Sequence, residues 1–197
     1  KILLRKIASP PDHADVFNNR GLAYYNLGQH ARAIEDYSQA IRLKPDYVKA
    51  YNNRGIAYAG LGQHARAIED MNQAIRLKTD YAEAFNNRGL AYVDLGQHAR
   101  AIEDMNQAIR LKPDYAEAFY NRGIAYYNLG QHARAIEDYN QAIRLKPDYA
   151  IAFSNKGNAY YNLGQYARAI EDYSQVIRLK PDYAEAYYNR GNAYYNL

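Results

Sequence analysis

The sequence predicts an all-α protein of stacked antiparallel helix pairs. Three observations carry that prediction. The segment RAIEDYSQAIRLKPDY, which starts at Arg32, returns as a near-copy every 34 residues. Apolar residues recur at helical spacing and no stretch alternates as a strand would. Glycine and proline fall at fixed offsets in each copy, where helices should stop. A repeat of this length is too short to bury its own apolar face, so neighbours must share one core.

The elements follow in order. Residues 1–13 are an atypical leader, read as a helical stub. Five full units are expected at 14–47, 48–81, 82–115, 116–149 and 150–183, then a half unit at 184–197 that holds a first helix only. In 116–149 the first helix is expected to open at Asp114, with Glu117 three residues on as a capping box. Asp80 with Glu83 and Asp182 with Glu185 repeat that pair, while Lys49 and Ile151 leave two units with the Asp cap alone. Phe119, Gly123 and Tyr126 form one stripe of this helix, and Gly130 stops it by accepting the left-handed cap conformation. The second helix puts Ala135, Ile136, Tyr139, Ala142 and Ile143 on one face, leaves Arg134, Glu137 and Arg144 outside it, and ends before Pro147. About eleven helices result.

Composition narrows the chemistry. The 197 residues contain no Cys, which excludes disulfides, thiolate metal sites and thiol catalysis. It leaves the compartment open, with the cytoplasm favoured. The net charge of +4 suggests nucleic acid, but it is scattered: no unit exceeds +2, and Arg32, Arg42 and Lys44 share theirs with Glu35, Asp36 and Asp46. A phosphate-tracking face should be of one sign, so nucleic-acid binding is not expected. His30, His64, His98 and His132 recur one per unit, with Tyr166 in the fifth place. Helices in adjacent repeats lie roughly 10 Å apart, too far to share a metal with bonds of about 2 Å, so these rings should pack at the hairpin. No phosphate loop, nucleophile motif or paired buried carboxylate occurs. No catalytic, cofactor or metal site is expected, and no membrane span.

The pattern Phe17-x2-Arg20-Gly21-x2-Tyr24, then Ala33-x3-Tyr37, then Pro45, resembles the tetratricopeptide repeat, and the resemblance covers about 184 residues. It implies a right-handed superhelical solenoid that binds a protein partner or extended peptide in a concave groove lined by the first helices. Phe or Tyr replaces the family's Trp, and Thr79 replaces one Pro. Arg20, Arg54, Arg88, Arg122, Lys156 and Arg190 replace its Leu. The family's carboxylate clamp is poorly matched: Asn18, Asn52, Asn86, Tyr120, Glu83 and Glu117 occupy its basic positions, with Lys49 the one exception.

Two sets of candidate residues emerge. Units 82–115 and 116–149 agree at 29 of 34 positions. Four of the five differences (Asn86/Tyr120, Leu90/Ile124, Val93/Tyr127 and Asp94/Asn128) share one side of the first helix, which points to a tuned groove, the alternative being drift on a solvated surface. Beside it runs the column Asn19, Asn53, Asn87, Asn121, Asn155 and Asn189, able to hold a peptide backbone as asparagine ladders do in some family members, or to bond within the stack. Leu90, Ile124, Tyr120, Tyr127 and Tyr161 complete the expected groove. The second set is structural: interhelical ion pairs, largely buried, joining Arg20 to Asp36, Arg54 to Asp70, Arg88 to Asp104, Arg122 to Asp138 and Lys156 to Asp172. Alternatives to a peptide-binding scaffold are a substrate-recruiting arm of a larger enzyme, since the sequence stops mid-repeat, and a scaffold that self-assembles head to tail through uncapped ends.

Overall fold

A computed structural model describes residues 13–197. The leader expected over 1–13 lies outside the described residues except for His13, which opens the first helix. The chain divides into two compact units, one ending at Asp80 and one spanning Tyr81–Leu197. In the first, α1 (His13–Asn26) pairs with α2 (His30–Leu43), and α3 (Val48–Gly60) with α4 (His64–Leu77). In the second, α5 (Ala82–Asp94) pairs with α6 (His98–Leu111), α7 (Ala116–Asn128) with α8 (His132–Leu145), and α9 (Ala150–Asn162) with α10 (Tyr166–Leu179); α11 (Ala184–Tyr195) packs on α10. No strand occurs among the described residues.

Each hairpin turns on a glycine. At the end of α7, Gly130 takes φ +72°. Its N–H bonds the Tyr127 carbonyl at 2.9 Å and the Gln131 N–H bonds that of Tyr126 at 2.9 Å. This is a Schellman cap, which satisfies carbonyls that the helix leaves open. The following helix starts at once: Gln131 is its N-cap, with no side-chain cap bond, and the Gln131 carboxamide accepts from Arg134 instead.

The expected Asp caps are a correction. Tyr115, not Asp114, is the N-cap of α7, without a side-chain cap bond. The Tyr115 N–H bonds the Lys112 carbonyl and the Ala116 N–H bonds that of Asp114, each at 3.1 Å, so Pro113 and Asp114 form a tight turn ahead of the helix. The Asp carboxylate is therefore too early to reach the first free amides. The glutamates find other partners: Glu83 pairs with Lys112 at 3.7 Å and Glu185 accepts from the Tyr183 hydroxyl at 2.7 Å.

The core is built from small residues and one large plug per repeat. On α8, Ala135, Tyr139 and Ala142 are fully buried and Ile136 nearly so, with Arg134, Glu137 and Arg144 exposed. The Tyr139 ring lies flat against Gly123 of α7, where a Cβ would sit 2.6 Å from Cε1. Met71 and Met105 take the plug's place opposite Gly55 and Gly89. Flexible thioethers fill the same slot with slightly more room.

Candidate functional site

The first helices are held in place by a polar bracket. Arg122 donates Nε and Nη2 to the two carboxylate oxygens of Asp138 at 2.8 and 2.6 Å. Its Nη1 donates to Asn106 of the preceding repeat at 2.6 Å. Arg54 does the same with Asp70 and Ser38, and Arg88 forks onto Asp104. Arg20, Arg54, Arg88, Arg122 and Lys156 thus each tie their own second helix sixteen residues on. Arg54 and Arg122 also reach the previous second helix sixteen residues back, which an apolar Leu could not do. The four aspartates facing arginine are buried. Arg54, Arg88 and Arg122 have side chains only 18–19% exposed, but Arg20, which forks onto Asp36, is 56% exposed, so that pair is not buried on both sides. Lys156 is the weak member: it gives Asp172 Oδ1 one bond at 2.9 Å and Asn140 another at 3.1 Å. Asp172 Oδ2 is left buried without a partner. Arg190 donates to Ser174 at 3.2 Å.

Burial lifts the Asp138 carboxyl above its ordinary range, with the Arg122 fork pulling it back. For Asp172 the same burial wins by more against the single Lys156 contact, and its carboxyl rises to about 6.

The asparagine column bonds between repeats. Asn53 donates to Asn18 at 3.1 Å, Asn121 to Asn86 at 2.9 Å, and Asn155 to the Tyr120 hydroxyl at 3.0 Å. Each contact spans 35 residues, so the partner is the residue that precedes the column in the repeat before. Asn121 is buried, Asn53, Asn87, Asn155 and Asn189 are half-buried, and Asn19 is exposed. One amide hydrogen of Asn53 and of Asn121 is therefore engaged, which leaves each a second donor, whereas Asn155 also bonds the Tyr139 phenol.

Two adjoining clefts open between the first helices of the second unit. One, about 200 Å³, is lined by Ile124, Tyr127 and Asn128 of α7 and by Asn155 and Asn158 of α9, with Tyr139 at its floor. The other, about 150 Å³, lies among Tyr127, Asn158, Tyr161, Asn162, Asn189 and Asn192, over Tyr173. Tyr127 and Tyr161 are fixed as rungs: Asn162 donates to the Tyr127 hydroxyl at 2.7 Å and Asn196 to that of Tyr161 at 3.0 Å. Their rings rest on His132 and Tyr166 at 5.0 and 5.2 Å. Tyr120 is packed between Tyr139 and Tyr149, and burial raises its phenol pKa. Leu90 is half-buried on α5 and outside both clefts.

The clefts thus bring together Ile124, Tyr127, Tyr161, Asn155 and Asn189 from the expected groove. They also contain Asn128, one of the positions that differ between the near-identical repeats, and Asn158, Asn162 and Asn192, which were not among the expected site residues. A signal for Asn158 and Asn192 was present: their column reads Leu22, Ile56, Leu90 and Ile124 before it changes to asparagine. Among the described residues, no group of three or more His, Cys, Asp or Glu is arranged to hold a metal ion.

The sequence model of the TPR repeat matches residues 21–62, 61–96, 89–130, 125–164 and 157–197. The chain belongs to the tetratricopeptide repeat family. Proteins of this family bind protein or peptide partners and are typically not enzymes. Among solved structures, MamA is 28% identical, covering 84% of this chain and 96% of its own, with a TM-score of 0.72. TTC0263, a thermophilic TPR protein of Thermus thermophilus, is 21% identical over 92% of this chain and 99% of its own, at a TM-score of 0.77. YrrB, a TPR protein with an unusual peptide-binding site, is 23% identical over 91% of this chain and 93% of its own, at 0.70. These likenesses show the TPR solenoid fold. A comparison with curated protein sequences finds no match. No helix among the described residues is long and apolar enough to cross a membrane.

Proposed function

We propose that this TPR chain is a scaffold for protein–protein interaction, framed as five full repeats and a half repeat with the boundaries read from the sequence. An extended peptide or partner segment lies along the first helices of its second unit. The observation that carries the reading is the pair of clefts between α7, α9 and α11, lined by tyrosines and asparagines. One cleft wall includes Ile124, Tyr127 and Asn128, three of the positions that differ between otherwise nearly identical repeats. Asn121 offers its second amide hydrogen to the peptide backbone, with Asn87 and Asn155 beside it in the same column, and Tyr120, Tyr127 and Tyr161 supply rigid contact area. The site chemistry is binding rather than catalysis, and no side chain in the clefts is basic enough to favour nucleic acid. YrrB is a structural relative described as having an unusual peptide-binding site; at 23% identity it lends the fold and not the residues.

The test is a titration of a peptide selected on the native chain against Asn121→Ala with Asn155→Ala. Each lost neutral hydrogen bond contributes about 0.5–1.5 kcal/mol, so the pair should weaken binding roughly ten- to a hundredfold if the effects add. Replacing Arg134 and Arg144, exposed on the second helix, should leave affinity within about twofold at physiological salt. Melting curves check that each variant folds. Loss confined to the arginine variant moves the binding surface and rejects the proposal.

A second reading, self-association, is favoured by the aromatic face of α11: Tyr187, Tyr188, Tyr194 and Tyr195 are 45%, 70%, 59% and 91% exposed. A heterologous contact through this face would close into a ring or propagate, according to the rotation it imposes. Sedimentation across concentration separates the two readings, since a monomer at millimolar concentration rejects self-association and leaves the groove untouched.

A further inference from the structure

We infer that Asn158, followed one repeat later by Asn192, sets what the groove selects: an uncharged hydrogen-bonding side chain, amide or hydroxyl, on an extended peptide. This rests on the peptide-groove reading above and adds the ligand's chemistry to it. Asn158 is shared by both clefts. It stands where the earlier repeats have Leu22, Ile56, Leu90 and Ile124, so the groove changes from an apolar wall to an amide wall between α7 and α9.

The amide is oriented from beneath. The Tyr173 hydroxyl donates to Asn158 Oδ1 at 2.7 Å. Tyr173 is 2% exposed, and burial holds its phenol well above the usual range, so it remains a donor. With the oxygen engaged, the two N–H donors of Asn158 find no acceptor among the described residues. They are available to a ligand acceptor at no cost in reorienting the side chain.

Chemistry excludes most side chains at this rung. A ligand cation meets donors rather than acceptors. A ligand carboxylate would lose its hydration among residues none of which carries a charge. An apolar side chain would cover the two donors and leave them unpaired, and sites built to hydrogen-bond reject ligands that lack the partner. Asn, Gln, Ser and Thr remain. The neighbouring wall at Ile124 takes an apolar side chain. First helices of adjacent repeats lie roughly 10 Å apart and an extended chain advances about 3.3 Å per residue, so the apolar and the amide or hydroxyl positions should be about three residues apart.

The experiment pans a displayed library of random peptides against the full 197-residue chain, its Asn158→Ile variant and its Asn158→Asp variant. Asn158→Asp keeps the acceptor for Tyr173 and removes the donors, so it retains the fold if Asn158→Ile does not. The native chain should select peptides with Asn, Gln, Ser or Thr about three positions from an apolar residue. Asn158→Ile should replace that preference with an apolar one, and Asn158→Asp with Lys or Arg. Affinity for the native-selected peptide should fall about tenfold in either variant, the loss expected for one or two hydrogen bonds. Native and variant chains selecting the same residues would overturn this inference while the groove reading stands. A native chain that selects no peptide would overturn both.

Discussion

The contrast between Lys156 and the arginines at its place in other repeats permits a reciprocal test. The neighbours match: Phe153, Asp172 and Asn140 surround Lys156 as Phe119, Asp138 and Asn106 surround Arg122. There is therefore a site already shaped for guanidinium. Lysine reaches one oxygen of Asp172 and leaves Oδ2 buried and unpaired, whereas the planar fork of arginine satisfies both oxygens of Asp138. An unsatisfied buried acceptor costs about 1–3 kcal/mol, so Lys156→Arg should stabilise the chain by about that much. For a chain of this size the melting midpoint should rise roughly 2–4 °C per kcal/mol. The reciprocal Arg122→Lys should lower it similarly.

The effect has a signature in pH. Burial raises the Asp172 carboxyl from its ordinary value of 3.8 to about 6. A carboxyl that holds its proton more tightly folded than unfolded favours the fold when protonated. That contribution is fully present below about pH 4 and is lost as the pH rises through about 6. The gain from Lys156→Arg should therefore be largest above about pH 6 and shrink toward about pH 4. Circular dichroism melts from about pH 4 to 8 provide the readout. An unchanged midpoint for both variants across that range would refute the bracket argument.

Other consequences are simpler to state. Arg122→Leu, the residue usual in the family, leaves Asp138 buried and unpaired and should cost on the order of 3–5 kcal/mol in urea unfolding, as should Asp138→Ala through the stranded guanidinium. Gly123→Ala drives a Cβ to 2.6 Å from the Tyr139 ring and should destabilise by about 1–3 kcal/mol, the usual range for overpacking. Gly191→Ala meets nothing within 4 Å in a helix and should instead stabilise by about 0.5–1 kcal/mol. The same melting assay reads both, and equal signs for the two glycines would contradict the close-packing argument.

The features legible in the sequence are those that repetition makes visible. The 34-residue period set the helix pairs, and the constant sixteen-residue offset from Arg122 to Asp138 disclosed the ion pair because it recurs. Gly130 was readable because a left-handed cap has few solutions in L-residues. The helix start was misread because Asp114 fits a cap by composition; whether it caps depends on where the Pro113–Asp114 turn ends. The contacts from Asn121 to Asn86 and from Asn155 to Tyr120 were hidden for another reason. They join different helices 35 residues apart, and the periodicity of one helix says nothing about how far its neighbour is offset. Asn158 illustrates the same limit. Its column change is plain in the sequence, but only the packed Tyr173 hydroxyl turns that change into an oriented pair of donors.

The central claim is that a peptide lies along the first helices of the second unit, and photo-crosslinking locates it most directly. A library-selected peptide carrying a benzophenone residue at its apolar position is bound to the native chain, irradiated, and the adduct mapped by mass spectrometry. The account predicts adducts within 116–128, 150–162 and 184–195, centred on Ile124, Tyr127 and Asn158. Adducts concentrated on Arg134, Glu137 or Arg144, the exposed side of the second helix, would contradict it.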